Sequence, residues 1–150
     1  MTTEQKYPLG DKRIFVIEDQ PDIRAVYEMM LKRYVKEIGF DFWGQESLKH
    51  LKAFGVPDIL ILDLMLPHGV SGFDVYDQIR ELPQYKTTRV VAVSASEPST
   101  VLRKLKAKGF SGLVTKPFDI MTFPKKLVEV MKSDSFVHIH YSTSSARFKL

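Results

Sequence analysis

From residue 12 to about residue 132 two hydrophobic periods alternate, and that alternation leaves the chain few folds to choose from. Short aliphatic runs stand at Ile14–Ile17, Ile59–Leu62, Val90–Val93 and Leu113–Thr115, with a weaker one, Ile38–Trp43, interrupted by Gly39 and Asp41. Runs that do not alternate with polar residues are those of parallel strands covered on both faces. Between them, apolar residues recur at helical spacing. Ile23, Val26, Met30, Tyr34 and Val35 follow Pro21; Leu48, Leu51 and Phe54 precede Gly55 and Pro57; Phe73, Tyr76, Ile79 and Leu82 precede Pro83. Val101, Leu102 and Leu105 precede Gly109, and Ile120, Phe123, Leu127, Val130 and Met131 make the last. Proline opens or stops these patterns and glycine closes them, as helix ends require. Five βα units in succession predict an open parallel sheet with right-handed crossovers.

No linker and no internal repeat divides this region, and 150 residues suffice for one core. Residues 1–11 read as an N-terminal arm, 12–132 as the domain and 133–150 as a C-terminal tail, with one strand expected at Phe136–Tyr141. The chain has no cysteine, which excludes disulfides, thiolate zinc sites and cysteine nucleophiles. The N-terminus lacks the apolar stretch of a signal peptide, and the longest aliphatic run is too short for a bilayer, so a soluble cytoplasmic protein without membrane contact is expected. Charge is uneven: residues 1–100 carry 12 Lys/Arg against 15 Asp/Glu, and residues 101–150 carry 10 against 3. Arg103, Lys104, Lys106 and Lys108 surround Val101, Leu102 and Leu105 on one predicted helix, the pattern of a solvated face; a basic patch alone does not make a nucleic-acid site.

Read to their C-terminal ends, the strong strand runs close on chemically useful residues. Glu18 and Asp19 follow the first, Asp63 the third, Ser94 the fourth and Lys116 the fifth. Ligands of open parallel sheets bind at that edge. In a flavodoxin-like, doubly wound sandwich of strand order 2-1-3-4-5, the first and third strands are neighbours and Asp63 faces Glu18 and Asp19. Three carboxylates so close repel unless a cation intervenes. Mg²⁺ suits the task, because it is hard, prefers oxygen and keeps waters while using few carboxylates. Lys116 can reach the oxygens of an incoming phosphoryl group, and the Ser94 hydroxyl and Ala95 amide can donate hydrogen bonds to them.

The segments IFVIEDQP, ILILDLMLP, VVAVSAS and LVTKPF, in that order, resemble the receiver domains of bacterial two-component response regulators, over residues 12–132. The resemblance implies a single-domain, chemotaxis-regulator-like switch. Asp63 would take a phosphoryl group from a sensor histidine kinase, with Mg²⁺ on Glu18, Asp19, Asp63 and the main-chain carbonyl of Met65. Ser94 would be the switch hydroxyl, Lys116 the phosphoryl-binding lysine, and the Lys116–Pro117 bond would be cis. The output would pass to a downstream protein or relay, or to a homodimer, through the fourth helix, fifth strand and fifth helix. Such a chain is not an enzyme in the ordinary sense, although it catalyses its own phosphotransfer and dephosphorylation.

Three features depart from that pattern. Leu113 stands three residues before Lys116, where the family usually places an aromatic switch residue. The loop LPHGVSG is one residue longer than usual, and the tail exceeds the usual end. Met65 and Ser96 hold the positions that modulate loss of the phosphoryl group; an apolar residue at 65 orients water poorly, so a persistent phosphorylated state is expected. A phosphorylation-independent pseudo-receiver remains the alternative. A phosphatase with an aspartate nucleophile would need a second Asp where Met65 stands, and no glycine-rich phosphate loop follows the first strand. His138 and His140 share one strand face without a third ligand nearby, too few for a metal site.

Overall fold

The computed structural model describes residues 9–117 and 119–140. In chain order its elements are β1 (Arg13–Ile17), α1 (Pro21–Leu31), β2 (Glu37–Asp41), α2 (Ser47–Phe54), β3 (Ile59–Asp63), α3 (Gly72–Arg80), β4 (Arg89–Ser94), α4 (Pro98–Lys108), β5 (Gly112–Thr115), α5 (Phe123–Lys132) and β6 (Val137–Ile139). Short 3-10 turns lie at Pro67–Gly69 and Pro83–Tyr85. All strand pairs are parallel, in the order β2-β1-β3-β4-β5-β6. The expected order 2-1-3-4-5 is present, and among the described residues the sheet has six strands where five were expected, β6 being added beyond β5.

Successive strand residues point to opposite faces, which separates two apolar layers. Ile14, Val16, Ile59, Ile61, Val91, Val93 and Val114 pack under α1 and α5 with Ile23, Tyr27, Phe123 and Leu127. Phe15, Ile17, Leu60, Leu62, Val90, Ala92 and Leu113 pack under α2, α3 and α4 with Leu51, Val75, Ile79 and Leu105. Two helix boundaries differ from expectation. α1 stops at Leu31, because the amides of Tyr34 and Val35 turn back to the Leu31 carbonyl before Lys36 pairs with Lys12. α5 starts at Phe123, not Ile120, because the Asp119 carboxylate accepts the Met121 amide at 2.8 Å and holds residues 119–122 in a turn.

The sixth strand comes from the segment expected as tail; Tyr141 lies outside the described residues. β6 pairs with β5 over three rungs, Gly112 with Val137, Leu113 with His138 and Val114 with Ile139. Its crossover runs across the sheet in the direction of β3–α3–β4 and β4–α4–β5, yet α5 lies on the opposite face, beside α1. The β5–α5–β6 unit therefore has the opposite hand to the other four units, which share the right-handed sense usual for parallel sheets. Arg89 ties the connection down: Nη1 donates to the carbonyls of Val130 at 3.0 Å and Ser133 at 2.6 Å. Gly112 leaves the room, since a Cβ there would stand 2.6 Å from the Val137 carbonyl oxygen. Gly112→Ala is accordingly expected to raise hydrogen exchange at Val137 and Ile139 by roughly tenfold or more while β1–β4 keep their protection, because the local opening costs about 1–2 kcal/mol less. Amide exchange by mass spectrometry checks this.

Candidate functional site

The site grows from the register of the central strands. Ile17 stands opposite Leu62, so the next rung sets Glu18 beside Asp63. Both carboxylates are buried, at 1% and 6% exposure. Lys116, the residue after β5, closes the cluster: its Nζ lies 3.1 Å from Asp63 Oδ2 and 3.9 Å from Glu18 Oε1. The Lys116–Pro117 bond is cis. Burial first, then the Asp63 charge, hold the Glu18 carboxyl up at about 7, with Asp19 adding to the rise and Lys116 opposing it.

The corner after β1 is pinned by Arg24, whose Nη1 donates to the main-chain oxygens of Glu18 at 2.8 Å and Asp19 at 3.1 Å. Beneath the cluster lies Tyr27, fully buried; burial, then the charges of Glu18 and Asp63, hold its hydroxyl well above the ordinary tyrosine value. Neither residue was singled out by sequence reasoning. The only signal for Arg24 is its place one helical turn after the acidic pair. For Tyr27 it is a large hydroxyl-bearing ring in an otherwise aliphatic stripe.

On the rim, the Met65 amide donates to Asp63 Oδ1 at 2.8 Å, while its side chain is 75% exposed. The longer loop folds back on itself. A bridge joins Met65 to Ser71, Leu66 N–H donates to the Val70 carbonyl, and His68 and Gly69 both turn at positive φ (61° and 71°). Ser71 caps α3 by accepting the Phe73 amide at 3.1 Å, and a Cβ at Gly72 would meet the Asp63 carbonyl oxygen at 2.5 Å. Gly72 is thus required by close approach to the strand end.

Ser94 ends β4, buried, with its Oγ accepting the Ser96 amide at 3.0 Å and its carbonyl accepting the Lys116 amide at 2.9 Å. Ala95 and Ser96 are exposed. Leu113 is buried in the layer under α3 and α4. The structure therefore brings Glu18, Asp63 and Lys116 into contact, places Asp19 beside Glu18, and puts Ser94, Ala95 and Met65 on the same sheet edge. The expected solvated face of α4 is partly engaged: Lys104 and Lys106 lie over the rings of Phe73 and Phe136, and Lys108 pairs with Asp77 at 2.8 Å. His138 and His140 have ring centroids 5.3 Å apart, but His138 Nε2 is engaged with Thr115 Oγ1 at 2.9 Å.

Glu18 Oε1 is buried with no hydrogen-bond partner among the described residues. An orphaned carboxylate oxygen beside a second carboxylate, with oxygen donors around it, fits a hard divalent cation. Among the described residues no three His, Cys, Asp or Glu side chains form a ready metal cage. Mg²⁺ does not need one, since it binds through one or two carboxylates and retains waters.

Residues 14–128 match the model of the response regulator receiver domain. Among curated relatives, the phosphate regulon transcriptional regulatory protein PhoB of Rhizobium meliloti is 33% identical over 107 residues, covering 71% of this chain and 46% of that protein. An uncharacterized 14.6 kDa protein of Leptolyngbya boryana is 27% identical over 124 residues, covering 83% of this chain and 90% of that protein. The chain spans about half the length of the transcriptional regulators it matches. Chemotaxis response regulator CheY4 of Vibrio cholerae superposes with a TM-score of 0.71 at 26% identity, over 80% of this chain and 98% of that one. The receiver domain of sensor histidine kinase PA1611 of Pseudomonas aeruginosa, which holds a magnesium ion in its active site cleft, superposes with a TM-score of 0.68 at 19% identity, over 82% and 99%. A family match across most of the sheet, on a chain whose strand ends gather an acidic pair, an aspartate and a lysine, places this protein in the response regulator receiver domain family.

Proposed function

We propose that Asp63 accepts a phosphoryl group from the phosphohistidine of a sensor histidine kinase, and that the chain signals by phosphorylation-dependent protein contact. The observation that carries this reading is the buried Glu18–Asp63–Lys116 cluster with its orphaned carboxylate oxygen. Glu18, Asp19, Asp63 and the Met65 carbonyl would hold Mg²⁺. When bound, the ion supplies positive charge that lets anionic Asp63 and an anionic phosphoryl group approach.

An Asp63 carboxylate oxygen attacks phosphorus as the P–N bond breaks, and the leaving imidazole takes up a proton. Lys116, now 3.1 Å from Asp63, turns its ammonium to a phosphoryl oxygen; the Ser94 hydroxyl and Ala95 amide donate to the others. Met65, with an exposed thioether that cannot orient an attacking water, supports a persistent phosphorylated state. The downstream reader is a protein or a relay. A homodimer through α4, β5 and α5 would have to accommodate β6, which lies along the outer edge of β5. No helix among the described residues is long and apolar enough to cross a membrane. A phosphorylation-independent module would give no role to two buried, mutually repelling carboxylates.

Fluorescence of Trp43, the single tryptophan, tests the reading. Beryllofluoride with Mg²⁺ is expected to shift its emission in the wild-type chain and to leave Asp63→Asn unchanged. Equal responses in both chains would refute it.

A further inference from the structure

Leu113 leaves an output problem, and the sheet supplies an answer to it. The side chain at 113 is aliphatic and 1% exposed, without a polar group that could report on Ser94. Ser94 is nevertheless tied to the outer strands. It shares a rung with Thr115, and its carbonyl accepts the Lys116 amide at 2.9 Å. Thr115 Oγ1 and His138 Nε2 are 2.9 Å apart, a side-chain link from β5 to β6. Ser94, Thr115 and His138 thus form one polar row on the α4 face, running from the phosphoryl site to the sheet's outer edge.

We propose that β6 is the output element of this chain, and that a shift of Ser94 on phosphorylation of Asp63 reaches it through Thr115 and His138 instead of through residue 113. The inference rests on the phosphoacceptor reading above. In the resting chain the Ser94 hydroxyl oxygen accepts the Ser96 amide, a role that leaves its O–H to donate; once a phosphoryl group is present the hydroxyl turns to donate to it, and the two states differ in the placing of Ser94. The displacement carries the end of β4 and, through the main-chain bond to Lys116, the end of β5. β6 is the element able to respond: it is an edge strand of three residues. Phe136, at its start, lies under the Lys106 ammonium, 5.5 Å from the ring centroid, so movement of β6 alters the exposed face of α4.

Imidazole NMR of His138, with amide exchange at Val137 and Ile139, tests this in the full chain with Mg²⁺ and beryllofluoride. The His138 Nε2 resonance is expected to move, and exchange at both amides to change by roughly fivefold or more, the lower range of a coupling between sites. In Thr115→Val the Ser94 amide still responds while His138 does not. If that variant fails to fold, His138→Leu serves, since it has no group to bond Thr115, with the exchange response of Val137 lost. A wild-type chain in which Ser94 responds and β6 does not overturns the proposal, as does an undiminished β6 response in Thr115→Val. No response at Ser94 or anywhere else overturns the phosphoacceptor reading along with it.

Discussion

Replacing Lys116 with alanine is expected to slow phosphorylation by acetyl phosphate and Mg²⁺ by about 10²–10³-fold, the usual loss when one oriented donor to a developing anion is removed. The same change is expected to lower stability at neutral pH by about 3 kcal/mol without Mg²⁺, the cost of removing one partner from a buried charge cluster. The cause is visible in the cluster. The Lys116 side chain, 12% exposed, is in ion-pair range of both Glu18 and Asp63, whose side chains are 1% and 8% exposed. Without it Asp63 loses its partner, and Glu18 can stay in a site that water barely reaches only by keeping its proton. Lys116→Arg separates the two effects: a guanidinium restores the charge, but its planar fork does not fit the space of a point-like ammonium. Stability should largely return while phosphotransfer stays slow. Denaturant titration and a phosphate-affinity gel read the two quantities independently.

The second large effect concerns pH and the cation together. Glu18 is raised from an ordinary 4.5 to about 7 in the folded chain, by burial and then by Asp63. Below about pH 4.5 both folded and unfolded chains hold the proton. Between there and 7 the unfolded chain releases it while the folded one keeps it, so stability falls as pH rises. The loss is complete above the folded value and amounts to roughly 3 kcal/mol. Mg²⁺ favours the ionised carboxyl and should reverse the fall, by about 2.7 kcal/mol at a hundred times its dissociation constant. In Asp63→Asn the repelling charge is gone, Lys116 faces Glu18 alone, and the slope should flatten. Thermal unfolding from pH 4 to 8, with Mg²⁺ or with a chelator, checks all three expectations. A wild-type curve rising from pH 5 to 8 without Mg²⁺ would contradict them.

The parts of the molecule legible in its sequence are those set by local pattern. The unbroken runs ending at Ile17, Leu62 and Val93 specified buried parallel strands, and their last residues marked the site because strand ends of a parallel sheet share one edge. β6 was legible only as a short apolar run, Phe136–Tyr141; its parallel placement on β5 depends on tertiary facts, the Arg89 bonds to Val130 and Ser133 and the space over Gly112. A left-handed crossover also runs against the rule by which topology is deduced, so no pattern argument would have chosen it. The end of α1 was overrun because Tyr34 and Val35 keep the helical period after the hydrogen bonds have turned away. Arg24 acts through main-chain carbonyls, a role that leaves no composition signal. The link from Thr115 to His138 joins residues 23 positions apart, and only the register of β5 and β6 reveals it.

Tandem mass spectrometry of the wild-type chain after incubation with acetyl phosphate reads the central claim most directly. The account predicts one acyl phosphate, mapped to Asp63, formed with Mg²⁺ and not in the presence of a chelator. A phosphoryl group mapped to any other carboxylate, or none at all in a chain shown to bind Mg²⁺, would contradict it.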